Sequence, residues 1–131
     1  MTKSKYQNLH DDHANWKEMV NNWKNEIDKF NKVLLAEALE NQPKEHQEKL
    51  IKYDNHLKHN KRFLQDLLET IDTHELFLDE LVEFNNDIDN IPLDAKMDHD
   101  KTANHIKDFE KRYTKLKSKI KNIIKNEIVN S

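Results

Sequence analysis

Between Pro43 and Asn90 the chain runs forty-eight residues with no glycine and no second proline. Across that stretch Leu50, Tyr53, Leu57, Asn60, Leu64, Leu67, Ile71, His74, Leu78, Leu81, Asn85 and Ile88 recur at alternating spacings of three and four, and eight of the twelve are aliphatic. A 3.5-residue repeat sustained this long fits a single unbroken helix whose apolar stripe must be buried against stripes of the same kind. Everything else in the chain has to supply that cover.

The flanking segments do so. Residues 4–41 carry the seam Leu9, His13, Trp16, Val20, Trp23, Ile27, Phe30, Leu34, with Ser4 and Gln7 at capping-box spacing and the two tryptophans as core anchors. Residues 94–129 carry His99, Thr102, Ile106, Phe109, Tyr113, Leu116, Ile120, Ile123. Asn41-Gln42-Pro43 and Asn90-Ile91-Pro92-Leu93-Asp94 punctuate the three seams. Proline lacks the amide donor and fits a first helical turn, Asn41 and Asn90 suit C-terminal caps, and Asp94 suits an N-cap. Connections this short join antiparallel neighbours. The sequence therefore predicts one all-α domain over residues 1–131, an elongated up-down-up three-helix bundle with a long central helix (4–41, 43–90, 94–129) and a gentle left-handed supercoil. The alternative is a four-helix bundle, if the β-branched residues and aspartate of Thr70-Ile71-Asp72-Thr73 break the central helix.

Hydrophobic residues make up only 35% and charged residues 36% of the chain, a balance that suits a rod with much solvated surface. The sequence has no glycine, which excludes dinucleotide-binding, Walker-type and nucleophile-elbow turns that need a backbone free of Cβ. It has no cysteine, which excludes disulfides, thiolate metal sites and thiol nucleophiles. Its longest nearly apolar run, Val33 to Leu39, is interrupted by Glu37, so the expectation is a soluble, cytoplasmic protein with no membrane partner.

Charge is distributed in blocks. Residues 1–65 hold twelve basic and ten acidic side chains, residues 66–100 one and twelve, and residues 101–131 nine and three, or +2, −11 and +6. Antiparallel pairing of the second and third helices is expected to set the acidic block beside the basic one, for mutual neutralisation and choice of helix partner.

Polar residues on buried seams are the candidates for chemistry. Folding the chain about its two turns stacks His13, His74 and Tyr113 in one layer with Asp108 and Glu110 at its flanks. It also sets Asn85 against His99, and Asn60 against Glu26 and Ile124. One reading is hydrogen-bonded core polarity that fixes helix register. The other is a divalent transition-metal site using His10, His13, His74 and Glu110, with Glu75 or Asp108 as further oxygen donors. No HExxH, ExxH or carboxylate ladder accompanies these residues, and His56 and His59 form a second i, i+3 pair of which His59 points off the seam.

Four stretches carry a resemblance: Asp12-His13-Ala14-Asn15-Trp16, His56-Leu57-Lys58-His59-Asn60, His74-Glu75 and Asp98-His99. With these DHxxW and His-Glu landmarks the chain resembles an uncharacterised family of small all-helical bacterial proteins, a resemblance that implies the fold and no activity. The order of histidines is also faintly similar to hemerythrin. Here Asn60 follows His56 where that family has glutamate, His74 lacks a histidine four residues on, and Asn104 follows His99 where aspartate is needed, so the ligands for a di-iron site are too few.

The functional expectation is a non-enzymatic structural or protein-interaction bundle that binds a protein partner or itself through a groove near residues 41–53, where the helices end. It includes no cofactor and no small-molecule substrate. Metal binding through His13 and His74 is the first alternative. Nucleic-acid binding through the lysine-rich third helix is the second, opposed by the net charge of −3 and by lysines spread around the helix.

Overall fold

The computed structural model describes residues 4–40, 42–85 and 91–130, with residues 85 and 125–130 described by backbone alone. Three helices account for almost all of it: α1 Lys5–Ala38, α2 Lys44–Asn85 and α3 Leu93–Asn130. At about 1.5 Å per residue they run roughly 50, 63 and 57 Å, the long rods that the seams demand. The expected three-helix architecture is what the chain adopts, and α2 continues unbroken through 70–73. There the Thr73 hydroxyl donates to the Glu69 carbonyl at 2.9 Å, which spares a β-branched polar residue from competing with the helix.

The ends follow local chemistry. The Gln7 amide donates to Ser4 Oγ at 3.2 Å, capping α1, which closes at Leu39 in right-handed conformation. Pro43 precedes α2, and its carbonyl accepts from the His46 and Gln47 amides. Helix α3 starts at Leu93, so Asp94 is not its N-cap; it lies inside the first turn, where its charge still favours the N-terminal end of the helix dipole. The caps expected at Asn41 and Asn90 lie outside the described residues.

The core is a single stripe along the axis. In α1 the fully buried positions His13, Val20, Ile27 and Leu34 are seven apart, and they meet Leu50, Leu57, Leu64, Leu67 and Ile71 of α2 and Ile106, Phe109, Tyr113, Leu116 and Ile120 of α3. Trp16, Trp23 and Phe30 pack at its edge, half-buried. One buried residue lies off the expected seam: Asp54, 3% exposed, is held by Lys58 one turn on at 3.0 Å.

Helices α1 and α2 pack closely along their length, with Lys24 donating to Gln65 and Lys61 pairing with Asp28 across the contact. Against α1, helix α3 runs parallel in one register: His13 meets His99, Trp23 meets Phe109, and Glu26 meets Tyr113, offsets of 86 to 87 positions. Phe63 of α2 stacks on Phe109 at 5.7 Å between ring centroids, fixing the same register from the other side. The expected layer of His13, His74 and Tyr113 is therefore corrected. His99 occupies the place assigned to Tyr113, because α3 sits about three turns further from the end of the bundle that holds the start of α1. The pairings of Asn85 with His99 and of Asn60 with Ile124 go with it, whereas Glu26 faces Tyr113.

This register also overturns the expected neutralisation between helices. Residues 4–22, 66–85 and 93–104 gather at one end with four lysines against thirteen acidic side chains, a net of −9, while residues 23–40, 44–65 and 105–124 form the other with sixteen basic against nine acidic, a net of +7. The acidic half of α2 lies beside the acidic start of α3, and the molecule is electrically polar from end to end.

The stripe makes a direct forecast. Leu57→Ala, at a position with no exposed surface, should destabilise the protein by about 2–5 kcal/mol. In the same urea titration Ile51→Ala, at a position 49% exposed, should change stability by less than about 0.5 kcal/mol.

Candidate functional site: a histidine layer and the α2/α3 seam

At the acidic end the three helices are tied by a continuous run of polar side chains. Glu75 of α2 accepts from His10 Nδ1 at one oxygen and from His13 Nδ1, at 2.6 Å, at the other. His13 Nε2 faces His99 Nδ1 of α3 at 3.2 Å, and His99 Nε2 donates to Asp12 of α1 at 2.9 Å. The Trp16 ring covers His99 at 4.5 Å between centroids and closes the layer on one side. One helical turn away, the Tyr6 hydroxyl donates to Asp79 at 2.5 Å, and that hydrogen bond, with burial and the charges of Asp79 and Glu75, pushes it up to about 12.

The hydrogen-bond inventory of this run is unusual. Between Glu75 and Asp12 it uses three N–H groups, and two neutral imidazoles carry only two. With both rings neutral, one of the three contacts therefore lacks its N–H. His13 is 2% exposed, and burial pushes it below the ordinary imidazole value, with the adjacent His99 and His74 acting in the same direction and the Glu75 carboxylate against it.

Of the four residues expected at a metal, two meet on a shared carboxylate: His10 and His13 both donate to Glu75. His74 approaches within 6.4 Å of the His13 ring, and its Nδ1 is buried without a hydrogen-bond partner beside a cavity of about 20 Å³ that His13, Asp98 and His99 also line. Glu110 lies elsewhere. It is exposed on α3, about 16 Å along the helix from His99, because the register carries it past the layer. Among the described residues no group of three or more histidine, aspartate or glutamate side chains is arranged to hold a metal ion. Asp12 was not anticipated, although the Asp-His pair recurs at Asp98-His99 and was a signal for it. The stretches Asp12–Trp16, His74-Glu75 and Asp98-His99 converge here, and the stretch around His56 lines the groove described next.

Two larger cavities open along one line, the seam between α2 and α3 on the side away from α1. Toward the acidic end a groove of about 290 Å³ lies between Phe63, Asp66, Leu67, Thr70 and His74 of α2 and Asp98, Lys101, Thr102 and His105 of α3. Toward the basic end a groove of about 390 Å³ has Tyr53, Asn60, Phe109 and Leu116 on its floor and walls and Lys52, His56, Arg112, Lys115 and Lys119 around it. No carboxylate lines the basic groove, and among the described residues none of those five cationic or titratable side chains makes an ion pair or hydrogen bond. Its inner wall is fixed. The Tyr113 hydroxyl donates to Glu26 at 2.6 Å and Lys117 to the same carboxylate at 3.1 Å. Burial opposes the Glu26 charge, but these donors, with Lys121, outweigh it and hold the carboxyl below its usual range. Burial and the Glu26 contact push the Tyr113 hydroxyl far up. The partner groove expected near residues 41–53 falls partly outside the described residues; the basic groove begins where it ends, at Lys52 and Tyr53.

No protein-family model matches the chain, and neither a curated protein nor a solved structure shows a match to it. Among the described residues no helix is long and apolar enough to cross a membrane.

The histidine layer has a pH signature. The folded value of His13 lies below the ordinary 6.5, so the unfolded chain takes up that proton first, and stability present above 6.5 is lost as the pH falls below it. Thermal melts at about pH 7.5 and about pH 5.5 should show the wild-type protein losing more stability on acidification than His13→Gln, which cannot be protonated there. Equal losses would remove His13 as the source.

Proposed function

We propose that this chain is a non-enzymatic helical interaction module that docks an acidic helical surface in the basic groove between α2 and α3. The observation that carries this reading is the groove itself, with five unpartnered cationic or titratable side chains around an aromatic and aliphatic floor and no carboxylate to neutralise them. Concentrating like charge in this way is unfavourable unless something of opposite sign completes it. Tyr53, half-buried over the buried Phe109 and Leu116, adds apolar area for a helix to cover, as helix-in-groove recognition requires. The groove's length along two straight helices favours an extended or helical ligand over a compact substrate. The histidine layer has a supporting role in this reading, holding α3 in the register that builds the groove. A cytoplasmic setting accords with the highly charged, cysteine-free sequence.

The reading is tested with a generic acidic chain, poly-L-glutamate, by calorimetry at low salt. Wild-type protein should bind it, and Arg112→Glu with Lys115→Glu and Lys119→Glu should weaken binding at least about tenfold, since desolvated charge contacts contribute a few kcal/mol together. Reversing Lys5 and Lys17, at the other end, should leave binding within about twofold. Equal loss in the two variants would mean that overall charge, and not the groove, is responsible.

A further inference from the structure

We infer that the acidic surface this groove takes is the acidic end of a second copy of the same chain, in an antiparallel two-fold dimer built along the α2/α3 seam. The inference rests on the docking reading above and names its partner.

One row of side chains on α3 decides it. Asp98, His105, Arg112 and Lys119 are spaced seven apart, the repeat that keeps a residue on one face of a supercoiled helix. All four line the seam, Asp98 and His105 in the acidic groove, Arg112 and Lys119 in the basic one. Reversing this row about a two-fold axis at His105 sets Asp98 of each copy against Arg112 of the other, so the contact is made twice. Asp94, one turn before Asp98, then falls level with the stretch of the second copy that holds Lys115 and Lys119. Near the axis itself the seam offers Leu67, Thr70, Thr102 and His105, flanked by Asp66 and Lys101, which are of opposite charge.

Electrostatics and size agree with this arrangement. Each copy is −9 at one end and +7 at the other, and antiparallel alignment pairs both ends at once. A two-fold contact closes on itself, whereas a head-to-tail contact between the same ends leaves one of each free and propagates. The overlapping strip, α3 from residue 93 to 117 by two helix diameters, is roughly 37 Å by 20 Å. That is about 740 Å² from each copy, near the roughly 800 Å² per partner of a stable interface. The exposed Phe77, Phe84, Leu93 and Met97 cluster at the acidic end, which gives the second copy apolar as well as charged surface to present.

Sedimentation velocity on the full chain over a concentration series at low salt tests the proposal, with two charge-reversed variants. One carries Asp94→Lys and Asp98→Lys, the other Arg112→Glu and Lys115→Glu. The expected result is a wild-type dimer that weakens with salt, at least about tenfold weaker association for either variant alone, and recovery of a dimer in their equimolar mixture. Circular dichroism melts of each variant exclude loss of the fold as the cause. A wild-type monomer at every concentration overturns the dimer, and so does a dimer that neither variant weakens or a mixture that stays monomeric. A monomer that still binds poly-L-glutamate leaves the docking reading standing with another acidic partner; a monomer that binds only inorganic polyphosphate overturns both.

Discussion

The position of α3 along the bundle is fixed by polar groups that can be buried only in company. An imidazole or carboxylate withdrawn from water without a partner costs on the order of 1–3 kcal/mol, more when charged. His13 sits on the α1 seam with 2% of its surface exposed, His99 on the α3 seam with 6%, and each supplies what the other lacks. Fourteen positions on, Tyr113 reaches Glu26 in the same offset. A slide of α3 by one heptad would keep aliphatic residues against aliphatic residues but would leave His99, Asp12, Glu26 and Tyr113 without these partners. Two polar contacts thus choose among registers that hydrophobic burial alone would nearly leave degenerate.

Two consequences follow from that choice. Charge is sorted lengthwise, because the acidic half of α2 is brought level with the acidic start of α3, not with the lysines beyond it. The α2/α3 seam is left with grooves, because Phe63 and Phe109 bring the two helices together at one level while the polar and basic side chains above and below do not fill the space between them. The proposed docking of an acidic helix draws on both features, and the histidine layer is the part of the interior that maintains them.

The sequence made the fold legible through the seams themselves. Every α3 position assigned to the core from Thr102 to Ile120 is buried, as are Val20, Ile27 and Leu34 of α1, since a 3.5-residue repeat specifies the buried face of a helix whatever its neighbours are. The layer was legible in composition and not in membership. His13, His74, Glu75 and His99 stand out as polar residues on or beside a seam, but reflection about the second turn pairs His99 with Asn85. A connection's spatial path is not contained in helical periodicity. Glu110 was drawn into the site by the same reflection. Asp12 lies off the seam, and only its neighbour His13 marked it. The basic groove was half-visible as a run of lysines on α3; its α2 half, Lys52, Tyr53 and His56, became apparent only once the register was known.

The most direct measurement is of that register. The chain has no cysteine, so pairs of introduced cysteines can carry spin labels without interference. With one label at Asn21 and the second in turn at Lys107 and Lys121, two positions on the same face of α3, electron–electron dipolar spectroscopy reads which is level with α1. A register held by His13–His99 and Glu26–Tyr113 predicts the shorter distance to Lys107, with Lys121 displaced about 21 Å further along the helix axis, the span of fourteen helical residues. A shorter distance to Lys121 would put Tyr113 opposite His13 and contradict the histidine layer, the sorted charge and the basic groove together.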